Sequence, residues 1–353
     1  MTRPYARRLV EWARDRERVL CLSADLTGSC EVDDFREAYP DRFLSLGMAE
    51  QNLMGVAAGL ARAGFLPFVH TFSVFVTRRP YDQVGMSIAY PNLPVRLMGF
   101  LPGLTTPGGV THQAIDDVAL MRVLPNMTVL DCGDATDVET VLDVTEEVDG
   151  PVFCRVLRGE VPRLFREPMR LDRARVLSRG SDVCVLSSSV CTEEAMRAVA
   201  ALTARGVGVT HLHVSTLKPF GDPTVREAVA SCRAGVVTVE NHSVIGGLGS
   251  AVAEVMSELG VGRRLKRLGL QDTYAHGGSR AYLLDFYGLS ARHVVAAVED
   301  LLGERLGIEP ESLTQAAPAG PRAAGPTEAP VGGPQAPGST PEAAGPEPKA
   351  EAL

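Results

Sequence analysis

Residues 43–63 read Phe43-Leu-Ser-Leu-Gly-Met-Ala-Glu-Gln-Asn-Leu-Met-Gly-Val-Ala-Ala-Gly-Leu-Ala-Arg-Ala63, and this stretch decides the fold. A short apolar run from Phe43 to Leu46 passes through a glycine-bearing turn into an amphipathic run from Gln51 to Ala63. Strand-like runs alternating with helical ones imply crossover connections, and hence a parallel sheet covered by helices on both faces. The pattern recurs outward from this unit. Further candidate strands are Val19 to Ser23, Pro67 to Thr71, Val95 to Gly99, Met127 to Asp131 and Val152 to Val156, with helices expected at Arg79 to Ala89, Ile115 to Val123 and Ala135 to Glu147. A second set begins near Val183, with strands at Val183 to Ser187, Val207 to Leu212 and Val236 to Val239. The expected fold class is therefore α/β, with two parallel-sheet domains at 1–165 and 181–308, joined by an Arg- and Pro-rich linker at 166–180. Residues 309–353, in which 26 of the 38 residues from Ala316 onward are Ala, Pro or Gly, bury too little apolar area to repay ordering, so a disordered tail is expected there.

Composition narrows the function. The chain has 353 residues, of which 45% are hydrophobic and 22% charged, enough for two cores. Thirty-five Lys and Arg against 43 Asp and Glu leave a net charge of -8, so there is no basic field to draw nucleic acid or an anionic membrane surface. Arg62, Arg78 and Arg79 interrupt the most hydrophobic region, and no apolar run free of charge reaches the roughly 20 residues of a membrane span. The first twenty residues are rich in Arg and Glu and lack the apolar stretch of a secretory signal, which points to a cytoplasmic protein. Seven cysteines are scattered without a Cys-x-x-Cys pair and read as small core residues rather than metal or redox groups.

In open parallel sheets, ligands bind beyond the carboxyl ends of the strands, so the loops there are the candidate site. Five stand out: Ser-Ala-Asp-Leu-Thr-Gly-Ser at 23–29, Gly-Met-Ala-Glu-Gln-Asn at 47–52, Thr-Phe-Ser-Val-Phe at 71–75, Gly-Gly-Val-Thr-His-Gln at 108–113 and Arg-Val-Leu-Arg-Gly at 155–159. Taken singly, each has an ordinary reading. Glu50 is a carboxylate in the first turn of a helix, where the helix dipole favours it; Phe72 and Phe75 fit a core; His112 fits a hydrogen-bonded loop.

In combination and order these segments resemble the C-terminal half of the transketolase family, the thiamine-diphosphate enzymes. The resemblance spans about residues 3–305 and is densest from Phe43 to Asp131, through Leu-Gly-Met-Ala-Glu-Gln-Asn, Thr-Phe-Ser-Val-Phe and Thr-His-Gln-Ala-Ile-Asp-Asp-Val-Ala-Leu-Met-Arg. In the second domain, Val-Glu-Asn-His-Ser-Val-Ile-Gly-Gly-Leu-Gly at 239–249 matches the family's C-terminal domain. The resemblance implies a pyrimidine-binding domain. The family glutamate at the position of Glu50 hydrogen-bonds the aminopyrimidine ring nitrogen, and the aromatic residue at Phe75 stacks on that ring with Phe72 nearby. The histidine at His112 faces the donor sugar and moves a proton, work that suits an imidazole. Arg3, Ser29 and Arg158 match positions that hold a sugar phosphate, where Arg is suited to bidentate recognition; a surface ion pair is the other reading of Arg158. Asp25 matches an aspartate near the substrate channel, or caps its loop.

Two departures bear on the substrate. Thr106, Pro107, Gly108 and Gly109 stand where the family carries Gly-Glu-Asp-Gly, and Phe100 and Leu101 stand where a phosphate-gripping histidine is usual. There is also no Gly-Asp-Gly sequence of the kind that holds Mg²⁺ and the diphosphate; Cys-Gly-Asp-Ala at 132–135 lacks the second glycine. No metal ligands are therefore assigned to this chain. The resemblance implies a separate N-terminal-type subunit that carries Mg²⁺ and the diphosphate, an α2β2 assembly, and ketol transfer between sugars or sugar phosphates. Two other readings keep the fold: a beta chain for decarboxylating 2-oxo-acid chemistry, and a noncatalytic regulatory or scaffold subunit.

Overall fold

The computed structural model describes residues 3–315. Twelve strands form two sheets: β1 (Val19–Ser23), β2 (Phe43–Ser45), β3 (Leu66–Phe72), β4 (Arg96–Phe100), β5 (Thr128–Asp131), β6 (Val152–Val156), β7 (Arg175–Ser178), β8 (Val183–Ser187), β9 (Val209–His213), β10 (Thr216–Lys218), β11 (Gly235–Ser243) and β12 (Arg264–Leu270). The first sheet runs β10-β5-β6-β4-β3-β1-β2 and the second β12-β11-β8-β9-β7. Strands β1, β4, β5, β6 and β8 are buried along their whole length, as a sheet covered on both faces requires.

The α/β class is as expected, and each expected strand is present, three with the expected ends and the others with ends moved by one to four residues. Neither sheet is purely parallel, however. β10, from the second half of the chain, adds antiparallel to β5, and β7 adds antiparallel to β9. Both are short and lie at sheet edges, where they occupy backbone groups of β5 and β9 that would otherwise be unpaired. The sequence from 166 to 180 therefore contains a strand, and the second half of the chain reaches back into the first sheet.

The Glu50–Arg62 helix buries Glu50, Leu53, Met54, Ala57, Ala58 and Ala61, a stripe at helical spacing whose alanines allow a close approach to the sheet. The helix expected from Arg79 instead starts at Tyr81 and passes into a wide π turn over Val84–Ala89. Pro80 explains the late start, because it disfavours helical backbone at the residue before it. Asp134 caps the Ala135–Glu146 helix by accepting from Asp137 N at 2.8 Å, so the Cys-Gly-Asp-Ala sequence is a helix start. All seven cysteines are buried and free. At the end of the described chain, Pro310–Gln315 is helical and Leu313 is buried against the core, so order extends past residue 309. The expectation of disorder for 316–353 lies outside the described residues. No helix among the described residues is long and apolar enough to cross a membrane.

Candidate active site

Three strand ends of the first sheet bring the chemistry together. Glu50 opens the helix that follows β2, Phe72 ends β3, Phe75 sits on the short Ser73–Thr77 helix after it, and His112 lies in the loop between β4 and the Asp117–Val123 helix. The Ser73–Thr77 helix rests directly on β4: a Cβ at Gly99 would meet Ser73 Oγ at 2.5 Å, so only glycine permits this approach. Phe72 is buried and Phe75 half-buried, with ring centroids 5.7 Å apart. The His112 imidazole lies 5.4 Å from Phe75 and 6.1 Å from Phe72, centroid to centroid, and its Nδ1 is 2.8 Å from Thr111 Oγ1. Glu50 is only 5% exposed, and Arg79 Nη1 donates to its Oε1 at 2.6 Å. The same guanidinium lies over the Phe75 ring at 3.9 Å. A buried carboxyl, two aromatic faces and an imidazole at one strand end can hold a flat, basic heterocycle by hydrogen bond and stacking, with a proton carrier beside it.

The loop bearing His112 is held from two sides. His112 N and Gln113 N both donate to Gly109 O, at 2.9 and 3.1 Å, and Gln113 Nε2 donates to His276 O of the second domain at 3.2 Å. Gly108 packs against the imidazole so closely that a Cβ there would meet His112 Cβ at 2.9 Å.

Arg3, Ser29 and Arg158 form a second group around Glu31. Arg158 Nη1 donates to Ser29 O at 2.9 Å, Gly159 N donates to Glu31 Oε1 at 2.8 Å, and Arg3 pairs with Asp33 and, at 3.3 Å, with Asp34. Burial raises the pKa of Glu31, while the Gly159 N–H and both guanidinium charges pull it back. Asp25 is exposed, in left-handed backbone at φ 59°. Glu50, Phe72, Phe75 and His112 therefore form one constellation, and a second is made by Arg3 at the start of the Pro4–Ala13 helix with Ser29 and Arg158 on the loops after β1 and β6.

Sequence reading missed a buried network behind the site. Arg155 is fully buried, with Nε donating to Asp117 Oδ2 at 2.9 Å and Nη1 to Asp131 Oδ2 at 3.0 Å. Its Nη2 reaches Asn241 O of the second sheet at 2.8 Å. Burial lowers the Arg155 pKa, but the charges of Asp117 and Asp131 more than offset it and hold the guanidinium above its ordinary range. Asn241 itself accepts from Leu104 N at 2.8 Å and donates to Pro102 O at 3.0 Å, pinning the loop after β4. Glu240 accepts from Leu248 N and Gly249 N at 2.6 and 2.8 Å, so the glycine-rich sequence at 246–249 is a helix start held by a carboxyl. Burial lifts Glu240 to about 7, and burial with the Arg155 charge lowers His242 to about 4. The signal for this network is an arginine inside an apolar buried strand, which must be met by acids. Arg79, which touches Glu50, carries no such signal.

Two domain families match the chain: the transketolase pyrimidine binding domain over residues 1–163 and the transketolase C-terminal domain over residues 172–294. The chain belongs to the transketolase family, whose enzymes depend on thiamine diphosphate. It is 40% identical over 305 residues to y4mN, an uncharacterized transketolase family protein of Sinorhizobium fredii, covering 85% of this chain and 88% of that one. It is 38% identical over 300 residues to SqwH, a 6-deoxy-6-sulfo-D-fructose transketolase subunit of a Clostridium species, covering 84% of this chain and 92% of the other. Among solved structures it is similar to a split-gene transketolase described as an inactive beta4 tetramer, with a TM-score of 0.78, 40% identity, and coverage of 85% of this chain and 97% of that one.

Proposed function

We propose that this chain is the cytoplasmic C-terminal subunit of a two-chain, thiamine-diphosphate-dependent transketolase, which moves a two-carbon ketol unit from a ketose to an aldehyde. The observation that carries the reading is the placement of buried Glu50 at a strand end with the Phe72, Phe75 and His112 rings. Thiamine diphosphate, when bound, supplies the electron sink for breaking and making the carbon–carbon bond. Glu50 would hydrogen-bond the pyrimidine nitrogen and Phe75 would stack on the ring, with Phe72 beside it. His112 moves a proton at the sugar hydroxyl. Arg158, exposed and tethered by one nitrogen to Ser29, holds the anionic end of the substrate with Arg3, while Asp25 lines its approach.

The diphosphate and Mg²⁺ belong to an N-terminal-type partner subunit in an α2β2 assembly. Absence of a Gly-Asp-Gly sequence from this chain supports that division, as does the similarity to a split-gene transketolase. The test is reconstitution with the partner, Mg²⁺ and thiamine diphosphate. Ketol transfer is expected, with Glu50→Ala abolishing it. Unimpaired turnover by Glu50→Ala overturns the assignment, and carbon dioxide release from pyruvate in place of ketol transfer identifies a decarboxylating enzyme instead.

A further inference from the structure

The contact between Arg79 and Glu50 has no place in the reaction just proposed. Arg79 Nη1 donates to Glu50 Oε1 at 2.6 Å, and the guanidinium lies flat enough over Phe75 to sit 3.9 Å from the ring centroid. A guanidinium is planar, delocalised, rich in N–H donors, and stacks on aromatic faces. An aminopyrimidine is also a flat, nitrogen-bearing ring that needs a carboxyl partner at its edge and an aromatic partner on its face. The two groups call on the same residues, and a ring that took Glu50 Oε1 and the Phe75 face under the guanidinium would have to displace Arg79.

The surroundings separate this contact from an ordinary surface pair. Glu50 is buried, whereas the Arg79 side chain is 49% exposed, so the carboxyl is fixed and the guanidinium has an open path to solvent. Arg79 directly precedes Pro80, outside the helix that begins at Tyr81, and its backbone is therefore not held in a helical ladder there. Its neighbour Arg78 is committed elsewhere, with Nε donating to both carboxyl oxygens of Asp116 at 3.0 Å. Arg79 is thus the cation on Glu50 that has a path to solvent, and a ring that hydrogen-bonds the buried carboxyl in its place keeps Glu50 partnered.

We infer that Arg79 is a positioning residue for Glu50, which holds the carboxyl in place and competes with the pyrimidine ring for Glu50 and Phe75 until that ring displaces it. The inference rests on the proposed function, and names the group that sets the threshold for cofactor entry at that same site. Arg79 acts by exchange: its N–H leaves the Glu50 oxygen as the pyrimidine edge arrives, and the guanidinium moves to water. No covalent step is involved.

The test uses the full-length chain with 4-amino-2,5-dimethylpyrimidine, the heterocycle alone, measured by titration calorimetry. Arg79→Met is expected to tighten binding at least about fivefold, the factor by which a site closed four-fifths of the time weakens apparent affinity. Arg79→Lys keeps the charge but loses the planar fork, and its affinity is expected to fall between the two. Arg79→Met takes the cation from a buried carboxyl and should lower thermal stability, so binding that tightens in spite of that loss separates competition from a general loosening of the fold. An unchanged or weaker affinity in Arg79→Met overturns the inference, as does failure of every form to bind. In the reconstituted enzyme, the apparent KM for thiamine diphosphate is expected to fall in the same order. Because Glu50→Ala tests the function through turnover, and Arg79→Met tests competition through affinity, the two ideas can fail separately.

Discussion

Arg155, on a strand of the first sheet, donates its Nη2 to the main-chain carbonyl of Asn241 on the second at 2.8 Å, with both residues fully buried. The remaining guanidinium nitrogens bind Asp117 and Asp131. One cation is therefore shared by two buried acids and ties the sheets together. Replacing Arg155 with Met should destabilise the chain by about 3–5 kcal/mol, because two carboxyls are left without a counter-charge. Urea unfolding measures this. Adding Asp117→Asn and Asp131→Asn to Arg155→Met should recover part of the loss, and a triple variant no better than the single one would contradict the account.

Asn241 carries a second, separable load. Asn241→Ala strands the buried Leu104 N–H and Pro102 carbonyl, at a cost of about 1–3 kcal/mol for each group left unpaired. Hydrogen exchange at the Leu104 amide should accelerate by more than exchange in β4, since the loop is loosened before the sheet. Equal acceleration at both places would point to global unfolding instead.

Acid should unfold this protein from an unusually high pH. His70 and His211 are driven by burial to about 3, and His242 to about 4, from an ordinary 6.5. The unfolded state takes up these protons first, so each histidine costs stability as pH falls below about 6.5, at up to ~1.4 kcal/mol per pH unit. Glu240 works the other way. Burial lifts it from 4.5 to about 7, so its contribution is full below 4.5 and is lost as pH rises through 7. The three histidines predict a fall in stability from pH 7 to pH 5, opposed by Glu240 and by Glu31, Asp117, Asp131 and Asp134, whose pKa burial also raises. Urea unfolding at pH 7, 6 and 5 would expose the error if stability were level or rising toward acid.

His112 is half-buried in a loop, and its imidazole hydrogen-bonds the neighbouring Thr111 hydroxyl. His112→Asn should leave stability within about 0.5 kcal/mol of the parent, while lowering ketol transfer by the 10²–10⁴-fold typical of a lost proton carrier. A rate retained to within a factor of about three would remove His112 from proton transfer.

Phe75 lies under the Arg79 guanidinium and beside His112. Phe75→Leu keeps most of the apolar volume but loses the ring face. Affinity for thiamine diphosphate in the reconstituted assembly should drop by about 3–10-fold, corresponding to the roughly 0.5–1.5 kcal/mol of aromatic stacking. No change in affinity would place the pyrimidine on another surface.

Much of this was legible from residue order because parallel strands must be apolar throughout and their connecting helices apolar on one side. That constraint acts locally, so runs such as Val152 to Val156 and the stripe from Leu53 to Ala61 declare themselves. The edge strands β7 and β10 did not, since a short strand paired on one side needs no distinctive side chains. The clustering of Glu50, Phe72, Phe75 and His112 was foreseen through family resemblance, while the partners of those residues were not.

By itself the sequence determined the α/β class, the burial of the strands, and the absence of a Gly-Asp-Gly sequence, since all three are properties of residues close together in the chain. Only the tertiary structure decided that Arg155 links Asp117, Asp131 and Asn241, that His276 braces Gln113, and that Arg79 occupies Glu50. Those contacts join residues far apart along the chain, or turn on where a long flexible side chain comes to rest, and a charged group's partner is chosen by the packing that surrounds it.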